Sequence, residues 1–149
     1  MSWIILFVIS WIMFFLVVDF KSLKYTIWTG ILTAFMEFLV DMLFIGHNLY
    51  KTVNHLFEIR GVPILFTFSV PLVMGVLSSQ YYPRKKSYRI LNVFVLSILF
   101  YCVEYALLLR GDLIYINWTW AESLTIDILT IITISWFNLV VLDKWRESL

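Results

Sequence analysis

Polar punctuation cuts this chain into five apolar runs, read as 3–20, 25–45, 62–82, 90–109 and 124–142. Most reach the roughly 20 residues that carry an α-helix across a hydrocarbon core of about 30 Å. Only the first is short: it covers 3–18, near the lower end of the usual range, and reaches 20 by extending through Phe20. Backbone amides in lipid have no water to bond, so a run of this length must close its hydrogen bonds internally. Length therefore decides for helix over strand. Composition agrees: the chain is 62% hydrophobic and 14% charged, with a mean hydropathy of +0.90. A soluble fold of 149 residues could not hide so much apolar surface. The predicted fold is an all-α membrane protein, a single domain over 1–149 built as a bundle of five transmembrane helices.

Charge excludes some functions and orients the rest. A net charge of +1 is no nucleic-acid footprint. No zinc-finger, Walker or dinucleotide motif is present, so no cofactor, no metal and no nucleic-acid partner are expected. Cys102 is the only cysteine and cannot form an intrachain disulfide. The first run lacks a basic flank and a small-residue cleavage site, which reads as a retained helix. Lys21, Lys24, Arg84, Lys85, Lys86, Arg89, Lys144 and Arg146 fall on one side of a five-helix arrangement. Lys51, Arg60 and Arg110 fall on the other. The positive-inside rule then predicts the N-terminus outside and the C-terminus in the cytoplasm. Tyr25, Trp28, Tyr81, Tyr82, Tyr115, Trp118, Trp120 and Trp145 mark the expected interfaces.

Two outer segments carry structure of their own. Within 46–61, Leu49, Tyr50, Val53, Leu56 and Phe57 share one helical face, which predicts a short helix lying in the interface. The stretch 110–123 is rich in Ile, Tyr and Trp and is expected at headgroup level.

Carboxylates set inside lipid-grade sequence are the candidate site. Glu37 and Asp41 on the second run, Glu104 on the fourth and Asp127 on the fifth are costly in hydrocarbon, so they are expected to face a bundle interior. Gly30, Thr33, Ala34, Glu37, Asp41 and Asn48 recur at three- and four-residue steps and share a face, with Phe35, Phe38 and Met42 pointing elsewhere. Thr67, Pro71, Gly75 and Ser78 repeat that rhythm on the third run. The first run carries almost no polar stripe, which puts it at the periphery. Arg110 and Arg60 are the expected counter-charges to the acids, with His47 and His55 as interfacial polar residues rather than metal ligands.

Several segments in order also carry a resemblance. Leu16-Val17-Val18-Asp19, the Asp41 region, Gly61-Val62-Pro63-Ile64 and Gln80-Tyr81-Tyr82-Pro83-Arg84-Lys85-Lys86 are followed by Glu104-Tyr105 and Tyr115-Ile116-Asn117-Trp118. In order and spacing the chain resembles a family of small uncharacterised multi-pass membrane proteins of endospore-forming Gram-positive bacteria. That family has a Gly-x-Trp-x-Tyr stretch after the Asp of the second helix, whereas this chain reads Gly46-His47-Asn48-Leu49-Tyr50. The resemblance implies a bacterial plasma membrane and a sporulating cell, and it implies no particular activity.

Three functions fit the acids. The first is a small transporter or ion-handling protein that binds protons or cations at Glu37, Asp41, Glu104 and Asp127. The second is a non-catalytic membrane subunit or assembly factor. The third is an intramembrane enzyme on lipid or isoprenoid, with Asp41 and Glu104 as acid and base. Expected partners are membrane lipids and either a second copy or another membrane protein. Transport ranks ahead of the enzyme because no nucleophile, metal motif or phosphate loop accompanies the carboxylates.

Overall fold

A computed structural model of the chain describes residues 1–143. Lys144, Trp145 and Arg146, which entered the topology argument, lie outside the described residues. The elements run α1 (Ser2–Val17), α2 (Leu23–Gly46), β1 (Tyr50–Thr52), β2 (Glu58–Ile59), β3 (Val62–Pro63), α3 (Ile64–Thr67), α4 (Val70–Gln80), α5 (Lys86–Leu109), β4 (Leu113–Tyr115) and α6 (Trp120–Trp136). A π-helical end, Phe137–Leu142, prolongs α6. Among the described residues, α2, α5 and the continuous stretch Trp120–Leu142 are long and apolar enough to cross a membrane. The helices Ser2–Val17 and Ile64–Gln80 are apolar but shorter.

Local chemistry sets the boundaries. α6 starts at a capping box: Thr119 Oγ1 accepts from the Glu122 amide, and the Thr119 amide donates to Glu122 Oε2 at 2.8 Å. This cap begins the last helix four residues earlier than its apolar run suggested. The third run is split between α3 and α4. Pro71 cannot donate to the Thr67 carbonyl and its ring crowds that position. Ser69 bridges the break, its hydroxyl donating to the Leu65 carbonyl at 2.6 Å and the Phe66 carbonyl at 3.1 Å.

The interfacial helix expected over 46–61 is not formed. Asn48, Asn54, Arg60 and Gly61 all have positive φ, which a right-handed helix cannot hold. The segment instead supplies β1 and the β2–β3 hairpin. β1 pairs antiparallel with β4, placing Tyr50 opposite Tyr115, Lys51 opposite Ile114 and Thr52 opposite Leu113. Tyr50 and Leu113 are buried while Lys51 and Ile114 are exposed, the period-two alternation of a one-faced ladder. Asn48, expected on the α2 stripe, lies beyond the helix end and is exposed.

Packing divides the interior in three. An apolar cluster around Trp3, Tyr50, Phe66, Phe100, Leu107 and Leu113 fills the end that carries β1 and β4. A second, around Phe14, Val18, Val73 and Val76, fills the far end. Between them α2 and α4 meet along a small-residue seam. A Cβ on Gly75 would lie 2.8 Å from Gly30 Cα and from the Thr29 carbonyl, so only glycine allows this approach. The far end is tied by side chains: Gln80 Oε1 accepts from the Asp19 amide at 2.9 Å and Gln80 Nε2 donates to the Asp19 carbonyl at 3.0 Å. Tyr81 donates to the Val17 carbonyl at 2.8 Å.

Candidate functional site

The seam of α2 is smallest near Gly30, and the same helix face carries Glu37 and Asp41 about two and three turns further on. There α2, α5 and α6 leave a cavity of about 60 Å³, which Glu37, Asp41, Glu104 and Asp127 all line. Room of that size holds a few water molecules and no lipid-sized molecule. All four carboxylates expected to form a cluster do so. Glu37 lies within electrostatic reach of the other three. Glu37 and Asp127 are the deeper pair, since they also wall a smaller space further along the bundle.

Hydroxyls approach the two carboxylates nearest the strands. Tyr50 on β1 donates its phenol proton to Asp41. Tyr115, opposite it on β4, donates to Glu104 Oε1 at 2.6 Å, and Ser123 donates to Glu104 Oε2 at 2.5 Å. Burial, and then the neighbouring carboxylates, push both phenols above the ordinary tyrosine range, which keeps them protonated as donors. The two-stranded ladder is thus the roof of the cavity, and each of its opposed tyrosines holds one acid. Asp127 Oδ2 is buried with no hydrogen-bond partner among the described residues.

The expected counter-charges are elsewhere. Arg110 caps the end of α5 and Arg60 sits at a positive-φ turn, and both are exposed. Neither pairs with an acid; among the described residues the one ion pair joins His55 Nδ1 to Glu58 Oε2 at 2.9 Å. Bringing a guanidinium into the cavity would cost its hydration, whereas tyrosine and serine hydroxyls donate without that loss. No three His, Cys, Asp or Glu side chains among the described residues converge closely enough to hold a metal ion. The four carboxylates are arranged as a spread set around one small polar space.

Residues that periodicity did not point to complete the walls. Trp3 from α1 and Phe66 from α3 meet edge to face at 5.6 Å, and Trp118 packs at a tilt against Phe44, with ring centroids 4.8 Å apart. The alternation Tyr50-Lys51-Thr52 and the β-rich Leu113-Ile114-Tyr115 were the available signals for the roof.

Beside the roof, Asp112 is 4% exposed. It accepts from Asn54 Nδ2 at 2.8 Å, and its carbonyl accepts from the Val53 amide at 2.9 Å. Burial alone would raise this carboxyl, but hydrogen bonds from Ser2 and Asn54, with positive charge beyond them, hold it below the usual carboxylate range. A depressed folded value means that the stabilisation is fully present above the unfolded value of about 3.9 and is lost as pH falls through the lower folded one. Unfolding in detergent micelles across that acid range should show wild type losing stability relative to Asp112→Asn. Parallel acid profiles for the two proteins would contradict this role.

Comparison with protein-family models, with curated proteins and with solved structures finds no match to this chain.

Proposed function

We propose that this chain crosses the membrane five times and handles protons or small cations at the carboxylate cavity. The observation that carries the reading is the meeting of four acids from three helices on one small polar space, with hydroxyl donors and no basic partner among the described residues. Intramembrane carboxylates without a fixed counter-ion are the usual equipment of a proton or cation path. Five crossings are supported by how the shorter helices are tied. Trp3 near the start of α1 donates to the Val53 carbonyl at 2.7 Å beside the roof, while Tyr81 bonds Val17 at the far end. α1 therefore runs between the same two ends as α2, and so does the broken helix of α3 and α4. The bias of Lys and Arg supports an outer N-terminus and a cytoplasmic C-terminus, and the resemblance to proteins of endospore-forming bacteria supports a plasma-membrane home.

Topology is checked by reporter fusions. Alkaline phosphatase inserted after Leu56, which is 66% exposed in the roof loops, should be active, and a fusion after Leu149 should be inactive. An active fusion at Leu149 would remove one crossing. Activity is checked in liposomes carrying the purified chain and a trapped pH dye. Wild type should dissipate an imposed proton gradient, and Glu37→Gln should abolish that flux while the protein still inserts. Flux unchanged in Glu37→Gln would sink the reading, and a gradient-independent change in membrane lipids would favour the enzyme instead.

A further inference from the structure

The Gln80 end of the bundle is made of two loops that side chains hold together. Gln80 bonds both the amide and the carbonyl of Asp19, and Tyr81 reaches the Val17 carbonyl. These ties bring Lys21 and Lys24 to the same end as Arg84, Lys85, Lys86 and Arg89. Asp19 and Asp143 are the acids at that end, and among the described residues none of the six cations forms an ion pair. At the roof, by contrast, Lys51, Arg60 and Arg110 share their end with Glu58, Asp112 and Glu122. Unbalanced positive charge is therefore confined to the Gln80 end. Five of its six cations are exposed, and rings hold some of them in place: Lys24 Nζ lies 4.7 Å from the centre of the Tyr25 ring and the Arg89 guanidinium 5.6 Å from that of Tyr82.

What lies beside the cations is a second observation. On α2, Lys24, Trp28, Ile31 and Phe35 follow one another at four-, three- and four-residue steps, so they share a face. All four are exposed, Trp28 at 50% and Phe35 at 57%. Lys86, Ile90, Phe94 and Ile98 make a similar exposed stripe on α5. From Lys24 to Phe35 the helix rises roughly 16 Å, which matches half of a hydrocarbon core of about 30 Å. A free phosphate or an acidic peptide would use the cations and leave these apolar stripes bare. A phospholipid uses both.

We infer that the Gln80 end binds anionic phospholipids, with their phosphates at Lys21, Lys24, Arg84, Lys85 and Lys86 and their acyl chains along the exposed stripes of α2 and α5. This rests on the reading that the helices cross a membrane with both loops at one surface, and it is independent of ion handling at the carboxylates. Net charge sets the preference. In phosphatidylcholine the choline neutralises the phosphate, whereas phosphatidylglycerol keeps its negative charge for the lysines and arginines. Each basic side chain near an anionic surface strengthens association about fivefold.

The test places the full chain in symmetric phosphatidylcholine bilayers, where its orientation has no effect, with a trace of spin-labelled phosphatidylglycerol or phosphatidylcholine of the same acyl chains. Electron paramagnetic resonance reads the fraction of label immobilised at the protein. Wild type at low salt should hold phosphatidylglycerol about fivefold over phosphatidylcholine. Salt at about 1 M, where the screening length is about 3 Å, should remove most of that preference. Lys21→Gln, Lys24→Gln, Arg84→Gln and Lys85→Gln combined should abolish it, while Lys51→Gln with Arg60→Gln at the roof should leave it unchanged. If the fourfold variant fails to fold, Lys21→Gln with Lys24→Gln and Arg84→Gln with Lys85→Gln are compared separately, and each pair should lower the preference about twofold. Equal retention of the two lipids by wild type would overturn the inference, as would a preference that survives loss of these cations or persists undiminished in salt. Those results leave the carboxylate reading standing, because proton flux is measured without reference to lipid charge. A lipid preference in a chain that conducts nothing would sustain the inference while the carboxylate reading fell. Reporter insertions that place the two loops on opposite sides of the membrane would overturn it together with the five crossings.

Discussion

Gly75→Ala should destabilise the protein by about 2–3 kcal/mol or more, at the upper end of what overpacking a tight core costs. The added methyl would lie 2.3 Å from Thr33 Oγ1 and 2.8 Å from both Gly30 Cα and the Thr29 carbonyl. Two of those neighbours are backbone, so no rotamer change relieves the clash and α2 must move away from α4. Gly30→Ala meets the same obstacle from the other side, with Val76 Cγ2 at 2.6 Å and the Leu72 carbonyl at 2.7 Å. Gly46 is the control, since an added Cβ there meets nothing within 4 Å. Equilibrium unfolding in mixed micelles should rank Gly75→Ala and Gly30→Ala well below wild type, with Gly46→Ala within roughly 0.5 kcal/mol of it. A Gly75→Ala protein as stable as the control would show that the seam is looser than its contacts. The seam also holds the acids in place, because Glu37 and Asp41 extend from the same face of α2 just beyond it.

That face shows why the helical half of the site could be read from the sequence. Gly30, Thr33, Ala34, Glu37 and Asp41 repeat at helical steps, and helical geometry alone puts them on one side. Phe35, pointing away, is 57% exposed to the surroundings of the bundle. Once Glu104 and Asp127 were placed on neighbouring helices, the economy of burying charge made a shared cavity the expected arrangement. The roof was not legible in the same way. Tyr50 and Leu49 fit a helical face as well as an alternating strand over so short a stretch, and only pairing with 113–115, some sixty residues away, decides between them. The arginines misled for an energetic reason. Basic residues at the right depth looked like counter-charges, but hydroxyls on the ladder satisfy Asp41 and Glu104 without burying a second ion. The Pro71 break was visible as a proline, whereas the Ser69 bonds that make it tolerable depend on where the chain turns.

Trp3→Ala should cost about 3–5 kcal/mol, the range for deleting a large buried aromatic, and should open the carboxylate cavity as well. Trp3 is 2% exposed, packs edge to face on Phe66 and lines the cavity from a helix that brings no acid of its own. Its indole N–H also holds the Val53 carbonyl, and Val53 directly follows β1, so the ring fastens the roof to α1. Removing it takes away packing, a hydrogen bond and one wall at once. Trp3→Phe separates these effects: it keeps most of the packing and should lose only about 0.5–1.5 kcal/mol for the missing hydrogen bond. If the roof depends on Trp3, a cysteine placed at Asp41 should react with small polar thiol reagents much faster in the Trp3→Ala background than in Trp3→Phe. Equal reactivity, together with a large loss of stability, would make Trp3 a packing residue only. Faster reaction in both backgrounds would assign the closure to the hydrogen bond at Val53 rather than to the ring.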